Sequence, residues 1–130
     1  MPNPLDLHQA RILIVDDCCD TGSVLCALLS QIGYGNVSSA TDGNALLLVD
    51  TANHYSLILL DMHMPTLGGL EIMRQLRSKQ TGYCVPVIAI SGDQRYRTVA
   101  IAAGACAFLL KPFNPDDLKT AICSALSHLY

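Results

Sequence analysis

The chain has 130 residues, a formal net charge of −3, 51% apolar residues and 15% charged residues. That length suits one domain with a real core, the composition excludes a disordered chain, and the absence of a basic run excludes a nucleic-acid footprint. No apolar stretch reaches the ~20 residues of a membrane span, and "MPNPLDLHQAR" lacks the charged-then-apolar order of a signal peptide, so the expected location is cytoplasmic.

Residues 1–10 carry two prolines and little pattern, as expected of an N-terminal tether. Short apolar runs then alternate with helical spacing. "RILIV" (11–15) is the first predicted strand. Leu25, Leu28, Leu29 and Ile32 form a helical stripe stopped by "QIGYG", with Asp20 suited to cap the helix. "NVSSA" (36–40) is the second strand, and Ala45, Leu46, Val49 and Ala52 mark a second helix. "SLILL" (56–60) precedes a third helix with the stripe Leu70, Ile72, Met73, Leu76. "VPVIAI" (85–90) precedes a weaker fourth helix over about 95–103, ending at Gly104. "AFLL" (107–110) precedes the last helix, for which Asn114 is the N-cap and Pro115, Asp116 and Asp117 form the first turn. Its core stripe is Leu118, Ala121, Ile122, Ala125 and Leu129. Five βα units predict a doubly wound α/β fold with a parallel sheet and helices on both faces.

In such a sheet the site lies beyond the carboxyl ends of the strands. The first strand ends in Asp16-Asp17, the third in Asp61, the fourth in Ser91 and the fifth in Lys111. If the first and third strands are neighbours, three carboxylates converge and repel one another. A divalent cation relieves that repulsion, and an all-oxygen donor set favours Mg²⁺, with Mn²⁺ as an alternative. An aspartate beside a cation and a lysine is set to attack a phosphoryl group and become an acyl phosphate. Taken singly, each of these residues reads as a turn or a cap. The ordered set does not.

The motifs "VDD", "LLDMHMPTLGG", "ISG" and "KPF", in that order, resemble the receiver domain of bacterial two-component response regulators from Arg11 to the C-terminus. The resemblance implies a (βα)5 flavodoxin-like three-layer sandwich with strand order 2-1-3-4-5, and a receiver domain over 11–130. It implies that Asp61 is the phosphoacceptor. Asp17 would be a direct Mg²⁺ ligand, Asp16 would act through a metal-bound water, and the backbone carbonyl of His63 would be the third protein ligand. Ser91 would hydrogen-bond the phosphoryl group, Lys111 would pair with it, and Phe108 would be the switch aromatic, rotating inward as the Ser91 loop moves. The donor would be a sensor histidine kinase or a histidine phosphotransfer protein. The output would lie on the fourth helix, fifth strand and fifth helix, with Arg95, Tyr96, Arg97 and Lys119 as candidate contacts and the downstream protein unspecified. The oligomeric state would be a monomer or a phosphorylation-linked dimer. Such a domain is not a turnover enzyme beyond slow self-catalysed phosphorylation and dephosphorylation.

The chain departs from the usual pattern at several points. The switch position is Phe and lacks a hydroxyl. Gly92 gives little cover over an acyl phosphate; Asp93 would either position water or simply cap the fourth helix, and His63 overlooks the acceptor, so that these side chains would tune hydrolysis. Cys18, Cys19 and Gly22 replace polar residues often found at the start of the first helix.

Three rival readings are weaker. "DTGS" (20–23) matches an aspartic-protease stretch, but that chemistry needs an all-β fold and two such loops. An Asp-nucleophile phosphohydrolase would need a second Asp where His63 stands. A receiver-like module that binds without phosphorylation would not need the full acidic and lysine set. The Met1 start favours a stand-alone receiver over a piece of a larger regulator. The six cysteines include no C-x-x-C pair and read as small buried hydrophobes.

Overall fold

The computed structural model describes residues 10–16, 19–40, 55–62, 69–79 and 85–127. The helix expected around Ala45–Ala52 and nearly all of the expected tether lie outside them. Ala10, assigned to the tether, is buried against the core, so packing begins at least one residue before the expected boundary.

Five strands, β1 (Ile12–Val15), β2 (Val37–Ala40), β3 (Leu57–Asp61), β4 (Val87–Ser91) and β5 (Ala107–Leu110), form one parallel sheet in the order β2-β1-β3-β4-β5. The helices are α1 (Cys19–Ile32), α2 (Gly69–Lys79), α3 (Tyr96–Ala102) and α4 (Pro115–Ser127). Every residue of β1, β3 and β4 is buried, which is why those strands read as continuous apolar runs.

Alternation sorts the side chains into two cores. Leu13, Val15, Ile58, Leu60, Val87 and Ala89 face Ile72, Met73 and Ala100 of α2 and α3. Ile12, Ile14, Leu57, Leu59, Ile88 and Ile90 face Leu25 and Leu29 of α1 and Leu118 and Ile122 of α4. The sheet is therefore the middle of three layers.

Chain direction is set at the helix ends. Gly33, at φ 122, closes α1, while Gly33 N donates to Ser30 O at 3.1 Å and Tyr34 N to Leu29 O at 2.8 Å. Gly104, at φ 112, closes α3 with the same bond pattern, Gly104 N to Ile101 O and Ala105 N to Ala100 O, both 3.0 Å. Asn114 caps α4 as expected: its Oδ1 accepts from Asp117 N at 2.8 Å, and its own N–H donates back to Asp117 Oδ2 at 3.4 Å. The first helix differs from expectation. It begins at Cys19, which places Asp20 inside the first turn rather than at the cap.

The cysteine expectation holds only in part. Cys26 and Cys123 are half-buried, but Cys106 is exposed, in the turn ahead of β5, with its thiol donating to Val87 O at 3.4 Å.

Candidate functional site

Register places the acids. Val15 pairs with Leu60, so Asp16 and Asp61 follow side by side at the ends of adjacent strands. Parallel neighbours lie roughly 5 Å apart. Asp16 N donates to Ala40 O at 3.1 Å, which holds the end of β1 against β2. Asp16 is 7% exposed and Asp61 9%, so both carboxylates sit in a sheltered cleft.

On the other side of β3, Asp61 pairs with Ile90, and Met62 N donates to Ile90 O at 2.9 Å. Ser91 therefore stands at the next strand end, 1% exposed. Its carbonyl accepts from Lys111 N at 2.8 Å, which brings the half-buried lysine to the edge of the same cleft. The Lys111–Pro112 peptide is cis. The hydroxyl of Ser91 accepts from Asp93 N at 3.0 Å. Asp93 Oδ1 in turn accepts from Arg95 N at 2.9 Å, and the Arg95 guanidinium donates to both carboxylate oxygens of Asp93.

Gly69 completes the rim. A Cβ there would lie 2.6 Å from Met62 Cα and 2.8 Å from Asp61 O, so only glycine lets α2 approach the end of β3. The sequence signal was the second Gly of "LGG" just before an apolar helical stripe. Periodicity alone assigns that glycine no role.

Residues 12–123 match the response regulator receiver domain family. The chain belongs to this family. It is a two-component receiver domain. Over 124 residues it is 33% identical to a probable transcriptional regulator, ycf27, of Cyanophora paradoxa, covering 94% of this chain and 50% of that protein. Over 120 residues it is 34% identical to the CAI-1 autoinducer sensor kinase/phosphatase CqsS of Vibrio cholerae, covering 90% of this chain and 17% of that protein. The receiver thus spans half or less of these curated relatives. Among solved structures it is similar to the receiver domain of sensor histidine kinase PA1611 of Pseudomonas aeruginosa. The TM-score is 0.78 and the identity 29%, covering 91% of this chain and 98% of that one. That structure has a magnesium ion coordinated in its active-site cleft. The Vibrio cholerae chemotaxis protein CheY4 matches with TM-score 0.78 and 28% identity, covering 89% and 98%.

In this receiver the two described acids suit a hard cation. Both are carboxylates, both are sheltered, and they come from adjacent strand ends. Among the described residues, none donates a hydrogen bond to the buried Oδ2 of Asp16, although Asp16 has other interactions. Asp17 and His63, the other expected ligands, lie outside the described residues, and no group of three metal-binding side chains occurs among the described ones.

The remaining site residues divide. The Phe108 ring is buried at 8% exposure, under the Arg97 guanidinium at 5.2 Å from the ring centroid. The ring expected to rotate as the Ser91 loop moves is buried in this structure. Arg97, expected as a partner contact, lies over that ring. Tyr96 is half-buried against the core, Arg95 is tied to Asp93, and Lys119 is exposed. Gly92 is exposed with open space where a Cβ would point. Over β5, between α3 and α4, lies an open cleft of about 510 Å³ lined by Arg97, Phe108, Leu110, Asp117 and Ser124 among others.

Proposed function

We propose that Asp61 is the phosphoacceptor of this receiver and that a phosphohistidine on a histidine kinase or phosphotransfer protein is the donor. The observation that carries this reading is the register: Asp16 and Asp61 end adjacent strands, and Ser91 and Lys111 end the next two, held together by the Lys111 N to Ser91 O bond.

Asp16 and Asp61, with Asp17 and the His63 carbonyl, would hold Mg²⁺ or Mn²⁺. When bound, the cation offsets the carboxylate charge and that of the phosphoryl oxygens. A carboxylate oxygen of Asp61 bonds to phosphorus as the P–N bond to the donor histidine breaks. The electron pair returns to the imidazole, and the product is an acyl phosphate. Lys111 supplies a positive charge to the transferred group, and Ser91 a hydroxyl donor. The Ser91 oxygen already accepts from Asp93 N–H, which leaves its own hydrogen to donate.

The signal then leaves through α3, β5 and α4, where Phe108 and Arg97 line the open cleft. This receiver, residues 11–130, works as a stoichiometric switch in the cytoplasm and not as a turnover enzyme.

Incubation with a small phosphodonor and Mg²⁺ tests the assignment by mass. Wild type should gain one phosphoryl group and Asp61→Asn none. A wild type without mass gain would overturn the reading, and repeated turnover of the donor would favour a phosphohydrolase.

A further inference from the structure

Arg95 gives the Asp93 carboxylate four hydrogen bonds, one from its backbone and three from its guanidinium. Arg95 donates its backbone N–H to Oδ1 at 2.9 Å, its Nε–H to Oδ1 at 3.0 Å and Oδ2 at 3.1 Å, and its Nη2–H to Oδ2 at 2.7 Å. The Arg95 side chain is 90% exposed and that of Asp93 37%. A pair this exposed adds little to stability. What it does is fix an acid two residues from the Ser91 hydroxyl, and the backbone N–H of that same acid donates to Ser91 Oγ at 3.0 Å. A carboxylate with both oxygens engaged by a planar guanidinium has its charge offset and little capacity left to accept from water.

We propose that Arg95 is a positioning residue that sequesters the Asp93 carboxylate from the phosphoryl site and so lengthens the life of the acyl phosphate. This rests on the assignment of Asp61 as phosphoacceptor. In the hydrolysis that ends the signal, a water oxygen bonds to phosphorus. The P–O bond to Asp61 breaks, its electron pair restores the carboxylate, and inorganic phosphate leaves. The water's proton must be accepted. A released Asp93 carboxylate can align that water and take the proton before passing it to phosphate or solvent. Clasped by Arg95, it does neither.

The test follows the first-order loss of acyl phosphate, after loading with a small phosphodonor and Mg²⁺. The proteins compared are wild type, Arg95→Ala, Arg95→Lys, Asp93→Asn and the double variant Arg95→Ala/Asp93→Asn. Arg95→Ala should shorten the lifetime roughly three- to ten-fold, a barrier change of up to about 1.36 kcal/mol. Arg95→Lys, with a single-point contact, should fall between. In the Asp93→Asn background, Arg95→Ala should change nothing. Equal lifetimes for wild type and Arg95→Ala, or the same acceleration with Asn at 93, would overturn the proposal. The carboxyl carbon chemical shift of Asp93 in protein without phosphodonor reads the clasp separately: it should move in Arg95→Ala, and an unchanged shift would also overturn the proposal. A wild type that takes no phosphoryl group would instead remove the Asp61 assignment, and the proposal with it.

Discussion

Two side chains show what a residue-level reading of the sequence could and could not reach. Tyr34 looked like part of a helix stop. It is 1% exposed, and its hydroxyl is buried without a hydrogen bond among the described residues. Burial pushes its phenol up from 10.0 to about 12, with the neighbouring Cys123 thiol adding to the effect. The folded state thus holds this proton more tightly than the unfolded chain does. The stability gained from that preference is complete below pH 10 and is lost as pH rises from 10 to 12. Urea denaturation across that range should show the loss in wild type and a smaller one in Tyr34→Phe. At neutral pH Tyr34→Phe should stay within about 1 kcal/mol of wild type, because the buried hydroxyl it removes has only the weak Cys123 thiol beside it. Arg97 is the second case. Its sequence position suggested a partner contact, and its exposed guanidinium lies over the Phe108 ring. Arg97→Ala should lower stability by about 0.5–1 kcal/mol. Lys119→Ala, on the exposed side of α4, should stay within about 0.5 kcal/mol of wild type in the same urea assay.

Helices and strands were legible because each carries a repeating pattern. The continuous runs at β1, β3 and β4, the Asn114 cap, and the stops at Gly33 and Gly104 all appeared where the spacing put them. The contacts between elements were not legible. Gly69 matters because the first turn of α2 runs against the last residues of β3, with no room for a methyl group beside Met62 Cα and Asp61 O. Gly69→Ala must push α2 or the Asp61 strand end aside. It should cost about 1–3 kcal/mol in chemical denaturation, the range for overpacking a tight contact. It should also slow phosphoryl uptake, since the displaced carbonyl belongs to Asp61. Gly92→Ala meets open space and should leave stability within about 0.5 kcal/mol.

At the scale of the whole molecule, sheet order produces the cleft. Two like charges, sheltered side by side, cost the fold an energy that a cation returns. With the carboxylates separated by about the strand spacing of roughly 5 Å and an effective dielectric near 20, that repulsion is on the order of 3 kcal/mol. In chelator, Asp61→Asn should therefore melt a few degrees above wild type. Millimolar Mg²⁺ should raise the melting temperature of wild type, through binding to the folded state alone. It should raise that of Asp61→Asn much less, a comparison that thermal unfolding reads without any phosphodonor.

Taken alone, the sequence determined the kind and order of the elements and which residue ends each strand, since apolar period and capping chemistry are local properties of a chain. It also determined the family, because Asp16, Asp61, Ser91 and Lys111 each follow a strand in a set order. Only the tertiary structure decided that the Phe108 ring is packed under Arg97, that Gly69 abuts Asp61, and that Arg95 closes on the acid beside Ser91. Those facts depend on distances between groups whose separation along the chain carries no period, and only the packing of the sheet, helices and turns sets them.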